Sequence, residues 1–79
     1  MTNSTITTKL SKYTSKEIGK IVKDIRKKLG VTQRALALTS GTGLRFIIEL
    51  EQGKPTCQLE KVLNVLRTLG IKITVEVKQ

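Results

Sequence analysis

The stretch TQRALALTSGTGLRFIIELEQGK, residues 32–54, sets the tightest limit on what this chain can fold into. Two short segments with helical apolar spacing flank Gly41-Thr42-Gly43, and two glycines among threonines favour a turn over a continued helix. Thr32 is placed to cap the first segment, which runs to about Leu38 and buries Leu36 and Ala37. The second runs from about Gly43 to Gln52, with Gly53 as its stop and Pro55 just beyond it. On a wheel of about 100° per residue, Ile47, Leu50 and Glu51 fall on one side of this second helix. Leu44, Arg45, Ile48 and Glu49 fall on the other, with Phe46 on the flank. If Ile47 and Leu50 face the core, Leu44 and Ile48 face outward beside an arginine. Apolar residues left outside need a surface to meet.

The rest of the chain supplies what these two helices pack on. Thr14-Ser15-Lys16-Glu17 reads as a capping box. Ile18, Ile21, Val22, Ile25 and Leu29 follow at helical spacing, and Gly30 ends the helix. Its other face carries Lys16, Lys20, Lys23 and Lys27. A last helix, roughly Gln58 to Leu69, has the apolar set Leu59, Val62, Leu63, Val65, Leu66 and Leu69, and Gly70 terminates it. Residues 1–13 show no periodicity and read as a flexible arm. After Gly70 the period changes to two. Ile71, Ile73, Val75 and Val77 alternate with Lys72, Thr74, Glu76 and Lys78, which predicts a half-buried strand over 71–79. The chain offers no second strand, and an unpaired apolar edge asks for another chain. Two copies across a twofold axis would form a small antiparallel sheet through those four residues. The other reading is a disordered or docked tail.

Several function classes are excluded by what is missing. The 79 residues hold one cysteine, Cys57, and no histidine. A structural zinc site cannot be built from that set, nor can a hydrolase that depends on an imidazole base. No enzyme activity, cofactor or metal is expected. No run of eighteen apolar residues spans a membrane. The N-terminal stretch MTNSTITTKLSKYT lacks the apolar centre of a secretory signal. With a lone cysteine, a reducing cytoplasm is the expected location. A domain this small buries only about 60% of its unfolded surface, which favours association. The net charge is +9. Residues 1–30 hold eight Lys/Arg against Glu17 and Asp24 (+6), and residues 31–79 hold seven against four (+3). Such an excess points to an anionic polymer or surface; a merely soluble basic protein is the blander reading.

Two helices joined by a tight glycine turn, the second showing its outer face, describe a helix-turn-helix. With Gln33 counted as the first residue of the unit, Ala37 is fifth, where the helices approach. Gly41 is ninth, in the turn, while Ile47 and Leu50 are fifteenth and eighteenth and pack inward. On these positions the chain resembles the lambda-repressor-like, or Xre, family over about Thr14 to Gly70. The run SGTGLRFIIELEQGKPTCQLEKVLNVLRTLGIKITV is similar to the HipB-type antitoxins, with Thr42 standing where relatives usually carry an aliphatic residue. The resemblance implies a mainly α, four- to five-helix lambda-repressor-like domain over 14–70, with one C-terminal β-strand over 71–79 pairing across a dimer. It also implies a dimeric operator-binding repressor whose partner is a HipA-type toxin kinase.

In that family the second helix of the unit lies in the major groove. Carried over, the DNA-binding positions are Gly43, Leu44, Arg45, Ile48 and Glu49. Arg45 can bond guanine O6 and N7, or it can contact a phosphate without specifying sequence. Leu44 or Ile48 can pack on thymine methyls, and Glu49 can accept from cytosine or orient Arg45. Gln33 matches a phosphate-bonding position at a helix start, against the alternative of a solvated glutamine. Lys54 and Thr56 are further phosphate candidates. Lys27 and Lys28 belong to the basic field or to a solvated face. Arg26 and Glu51 match an ion pair that bridges helices in relatives. Cys57 sits near a helix start, which lowers a thiol pKa, or is a passive small residue. Two rivals to the antitoxin reading are a stand-alone phage or chromosomal repressor and a helix-turn-helix used on a protein, which an outward Leu44, Phe46 and Ile48 would favour. A basic amphipathic membrane helix fits least, because the first helix has caps and core-type apolar residues.

Overall fold

The computed structural model describes residues 14–74. Four helices follow in order: α1 Ser15–Lys28, α2 Gln33–Ser40, α3 Leu44–Glu51 and α4 Leu59–Thr68. No strand occurs among the described residues, and none of their helices is long and apolar enough to cross a membrane.

Thr14 and Thr32 cap α1 and α2 as expected, Thr14 without the return bond from the Glu17 side chain. Thr14 Oγ1 accepts the Glu17 N–H at 3.3 Å and Thr32 Oγ1 accepts the Ala35 N–H at 3.0 Å. Each satisfies a donor that the first turn leaves unpaired. The ends of α1 and α4 match the glycines at 30 and 70. α2 runs two residues further than Leu38. Thr39 Oγ1 bonds back to the Ala35 carbonyl at 3.0 Å, and buried Ser40 Oγ bonds to Leu36 at 2.7 Å. Hydroxyls that bond the preceding turn let these residues stay helical. The chain then reverses at Gly41, whose φ of 71° is left-handed, and the Thr42 N–H closes on the Ala37 carbonyl at 2.9 Å. Thr42 has a polar partner for its hydroxyl, Ser40 Oγ at 3.0 Å, which accounts for a threonine where an aliphatic residue was expected.

The core gathers Val22 from α1, Leu36 and Ala37 from α2, Ile47 and Leu50 from α3, and Val65 and Leu66 from α4, closed by Leu69. α3 packs on both α1 and α2, and α4 packs on α2. Gly19 makes the α1–α3 crossing possible. A Cβ there would overlap the Leu50 carbonyl oxygen and lie 3.1 Å from the Glu51 carbonyl oxygen. Nothing in the apolar periodicity of α1 marks this glycine, which costs roughly 1 kcal/mol in a helix interior relative to alanine.

The expected apolar faces are corrected at their ends. Leu59, the first residue of α4, is 70% exposed, and Leu29, just past α1, is exposed as well. Both sit where a helix overruns the packed layer. Leu63 and Ile21 are half-buried. Phe46 does not face outward: it packs against the core, with Lys61 Nζ 5.7 Å from its ring centre.

Of the expected strand, residues 71–74 carry no regular structure. Ile71 is half-buried against the core and Ile73 is exposed. A strand acquires its ladder only from a neighbour. Val75, Val77 and the arm over residues 1–13 lie outside the described residues.

Candidate nucleic-acid interface

α3 enters on Gly43, whose φ of −105° is ordinary extended backbone, and no side chain caps the helix there. The first turn of α3 therefore starts with its backbone donors uncovered by a capping side chain. With Ile47 and Leu50 buried, the opposite face is left outward. Leu44, Arg45, Ile48, Glu49 and Gln52 line one shallow groove of about 340 Å³. Leu44 and Ile48 are half-buried and form its apolar floor, while the Arg45 side chain is 85% exposed. Gln52, not singled out from the sequence, completes the groove. The wheel that placed Arg45 and Ile48 places residue 52 between them, so the signal was there.

Glu49 carries the electrostatics of this face. Its Oε1 lies 3.2 Å from Lys54 Nζ, and its Oε2 lies 3.9 Å from Arg45 Nη1. Lys54 is brought alongside by the end of α3. Gly53 turns left-handed at φ 85°, and the Lys54 N–H bonds the Glu49 carbonyl at 3.1 Å. Thr56 is exposed in the loop between α3 and α4. Sequence reasoning thus places five residues together at one face, Leu44, Arg45, Ile48, Glu49 and Lys54. It offered Glu49 as orienting Arg45 but missed its closer pairing with Lys54.

Gln33 is committed inward. Its Nε2 donates to Glu51 Oε1 at 3.0 Å, so one of its two amide donors serves a buried network. That network centres on Arg26, whose Nε and Nη2 meet Glu51 Oε2 and Oε1 at 2.6 and 3.1 Å. Arg26 Nη1 also donates to the Val31 carbonyl at 2.9 Å. The hydrogen bonds that Arg26 donates to the Glu51 carboxylate raise the Arg26 pKa further above its already high value, against the opposing effect of burial. The pair ties the end of α3 to α1 and, through Gln33, to the start of α2.

None of the α1 lysines lines the α3 groove. Lys16, Lys20, Lys23 and Lys27 are exposed and Lys20 reaches Asp24 at 3.5 Å, while the backbone of Lys16 lies close against Gly53, where an added Cβ would be 2.8 Å from Lys16 Cα. Lys28 is exposed at the end of α1. For Cys57 the thiol pKa is not lowered, in keeping with the reading of a passive small residue. Burial pushes it up, Lys54 pulls it down less, and Glu49 adds to the rise. It lines a groove of about 210 Å³ with Ile18, Leu50 and Val62.

Residues 22–75 match the helix-turn-helix family HTH_3. Over 62 residues the chain is 50% identical to the uncharacterized HTH-type transcriptional regulator y4mF of Sinorhizobium fredii (strain NBRC 101917 / NGR234), a stretch covering 78% of this chain and 82% of that protein. With the capped α2, the left-handed turn at Gly41 and an α3 buried on one side only, the chain belongs to the Xre-type helix-turn-helix family.

Proposed function

We propose that this protein is a dimeric, sequence-specific DNA-binding transcriptional repressor that inserts α3 into the major groove. The outward face of α3 carries this reading: an extended Arg45 on the first turn, beside the apolar floor of Leu44 and Ile48. The Arg45 fork would bond guanine O6 and N7. Leu44 and Ile48 would pack on thymine methyls, and Gln52 would extend the base contacts. Lys54, Thr56 and the remaining Gln33 donor would bond phosphates, with the uncapped start of α3 at Gly43 adding backbone donors. In the dimer, the strand over residues 71–79 would pair through Ile71, Ile73, Val75 and Val77, setting two recognition helices about 34 Å apart on one DNA face. The name of the Sinorhizobium relative, a transcriptional regulator, supports the regulatory part.

The finer reading is a HipB-like antitoxin that represses its own operon and binds a HipA-type kinase. It rests on the likeness of residues 40–75 to that group. A stand-alone repressor is the broader alternative. The protein-interaction reading keeps Leu44 and Ile48 but loses Phe46, which packs against the core. Titrating a labelled duplex at rising salt tests the common core of these readings. Phosphate contacts release counterions, so affinity should fall steeply between about 50 and about 200 mM salt. A salt-indifferent interaction would contradict DNA binding.

A further inference from the structure

We propose that Glu49 makes one phosphate contact conditional on the base sequence, acting as a specificity-determining residue through its hold on Lys54. The inference rests on α3 being the DNA-reading helix.

The Glu49 carboxylate is the acidic group of the α3 groove and lies between two cations. Its side chain is 31% exposed, against 46% for Lys54 and 85% for Arg45. The Lys54 pairing is set up by backbone: the Gly53 turn and the bond from the Lys54 N–H to the Glu49 carbonyl return residue 54 to the side of residue 49. Arg45 is held only at 3.9 Å and is free to reach out. Lys54 is therefore the cation that Glu49 keeps.

A carboxylate facing DNA repels phosphates unless something neutralises it. On a wrong sequence, moving Lys54 to a phosphate would leave Glu49 unpaired beside the polyanion, so Lys54 stays on Glu49. On the right sequence a base amino group, cytosine N4 or adenine N6, donates to Glu49. The carboxylate then has a new partner, and Lys54 is released to a phosphate. An exposed ion pair is weak enough for this exchange. Sequence reading by Glu49 is thereby converted into an added backbone contact.

The test compares salt dependence on two duplexes of equal length, one carrying a site recovered by selection and one scrambled. Each neutralised phosphate contributes about 0.9 to the slope of log affinity against log salt. Lys54→Gln should lower the slope on the selected site by about 0.9 per protomer and leave the scrambled slope unchanged. Glu49→Gln, which frees Lys54 everywhere, should raise the scrambled slope by a similar amount and shrink the ratio of specific to non-specific affinity. Equal losses on both duplexes for Lys54→Gln would overturn the proposal, since Lys54 would then be an unconditional contact. So would an unchanged scrambled slope for Glu49→Gln. Failure of the unaltered protein to bind either duplex would remove the DNA-reading role itself, a distinct result.

Discussion

Arg26 and Glu51 form a two-pronged ion pair, at 2.6 and 3.1 Å, with their side chains only 9% and 3% exposed. Twenty-five residues separate them in sequence, and their joining fixes where the end of α3 sits against α1. Every buried side-chain nitrogen and oxygen among the described residues has a partner, so the charges are desolvated without being orphaned.

Breaking one side of that pair should be costly. Arg26→Met leaves the buried Glu51 carboxylate with the Gln33 amide, and a loss of about 3–5 kcal/mol is expected. The double change Arg26→Met with Glu51→Leu should recover much of it, because two apolar side chains need no partner. Urea unfolding of the three proteins checks this. A double variant no more stable than the single would show that the pair does more than neutralise itself. The raised Arg26 pKa fixes the pH window. A raised value contributes stability that is complete below the unfolded pKa and is lost only as pH rises through the folded one. For an arginine that lies far above neutrality.

Gly19 should resist even alanine. Helix propensity would favour Gly19→Ala by about 1 kcal/mol, but the new methyl meets the backbone carbonyls of Leu50 and Glu51, which cannot swing away as a side chain can. Overpacking of this kind costs about 1–3 kcal/mol or more, so a net loss of stability is expected. Thermal melting measures it. A raised melting temperature would mean that α1 and α3 cross less closely than described.

Cys57 should behave as an unreactive thiol. Its raised pKa keeps it protonated at neutral pH, and burial is the main cause. Stability from this group is complete below the ordinary thiol value of about 8.5 and is lost as pH rises through the folded value. Iodoacetamide labelling of the native protein should be slower at pH 7.5 than labelling of an unfolded control, and should climb only in the alkaline range. Native labelling as fast as the control would contradict the burial.

Much of this fold was legible in the sequence because its boundaries rest on local chemistry. Thr14, Thr32, Gly41 and Gly70 act within a turn of where they stand, and the wheel separates Ile47 and Leu50 from Arg45 without tertiary knowledge. What was not legible depends on contacts distant in sequence. Gly19 is defined by a carbonyl on another helix. Phe46 was left on the flank until α4 brought Lys61 over it. Leu59 has the right spacing for the core and lies one turn too early to reach it. At the site, Glu49 was read as a partner for Arg45, but its pairing with Lys54 was not legible. The geometry of Glu49 depends on the left-handed Gly53.

The most direct test of α3 as a base-reading helix is selection of random duplex DNA by the unaltered protein and by Arg45→Ala, at two salt concentrations. The unaltered protein should recover an inverted repeat with a preferred guanine in each half, and Arg45→Ala should lose that preference at about 1–3 kcal/mol per contact while still binding. The same sequence preference from both proteins, or no enriched sequence from either, would contradict the assignment of Arg45 as the residue that reads DNA.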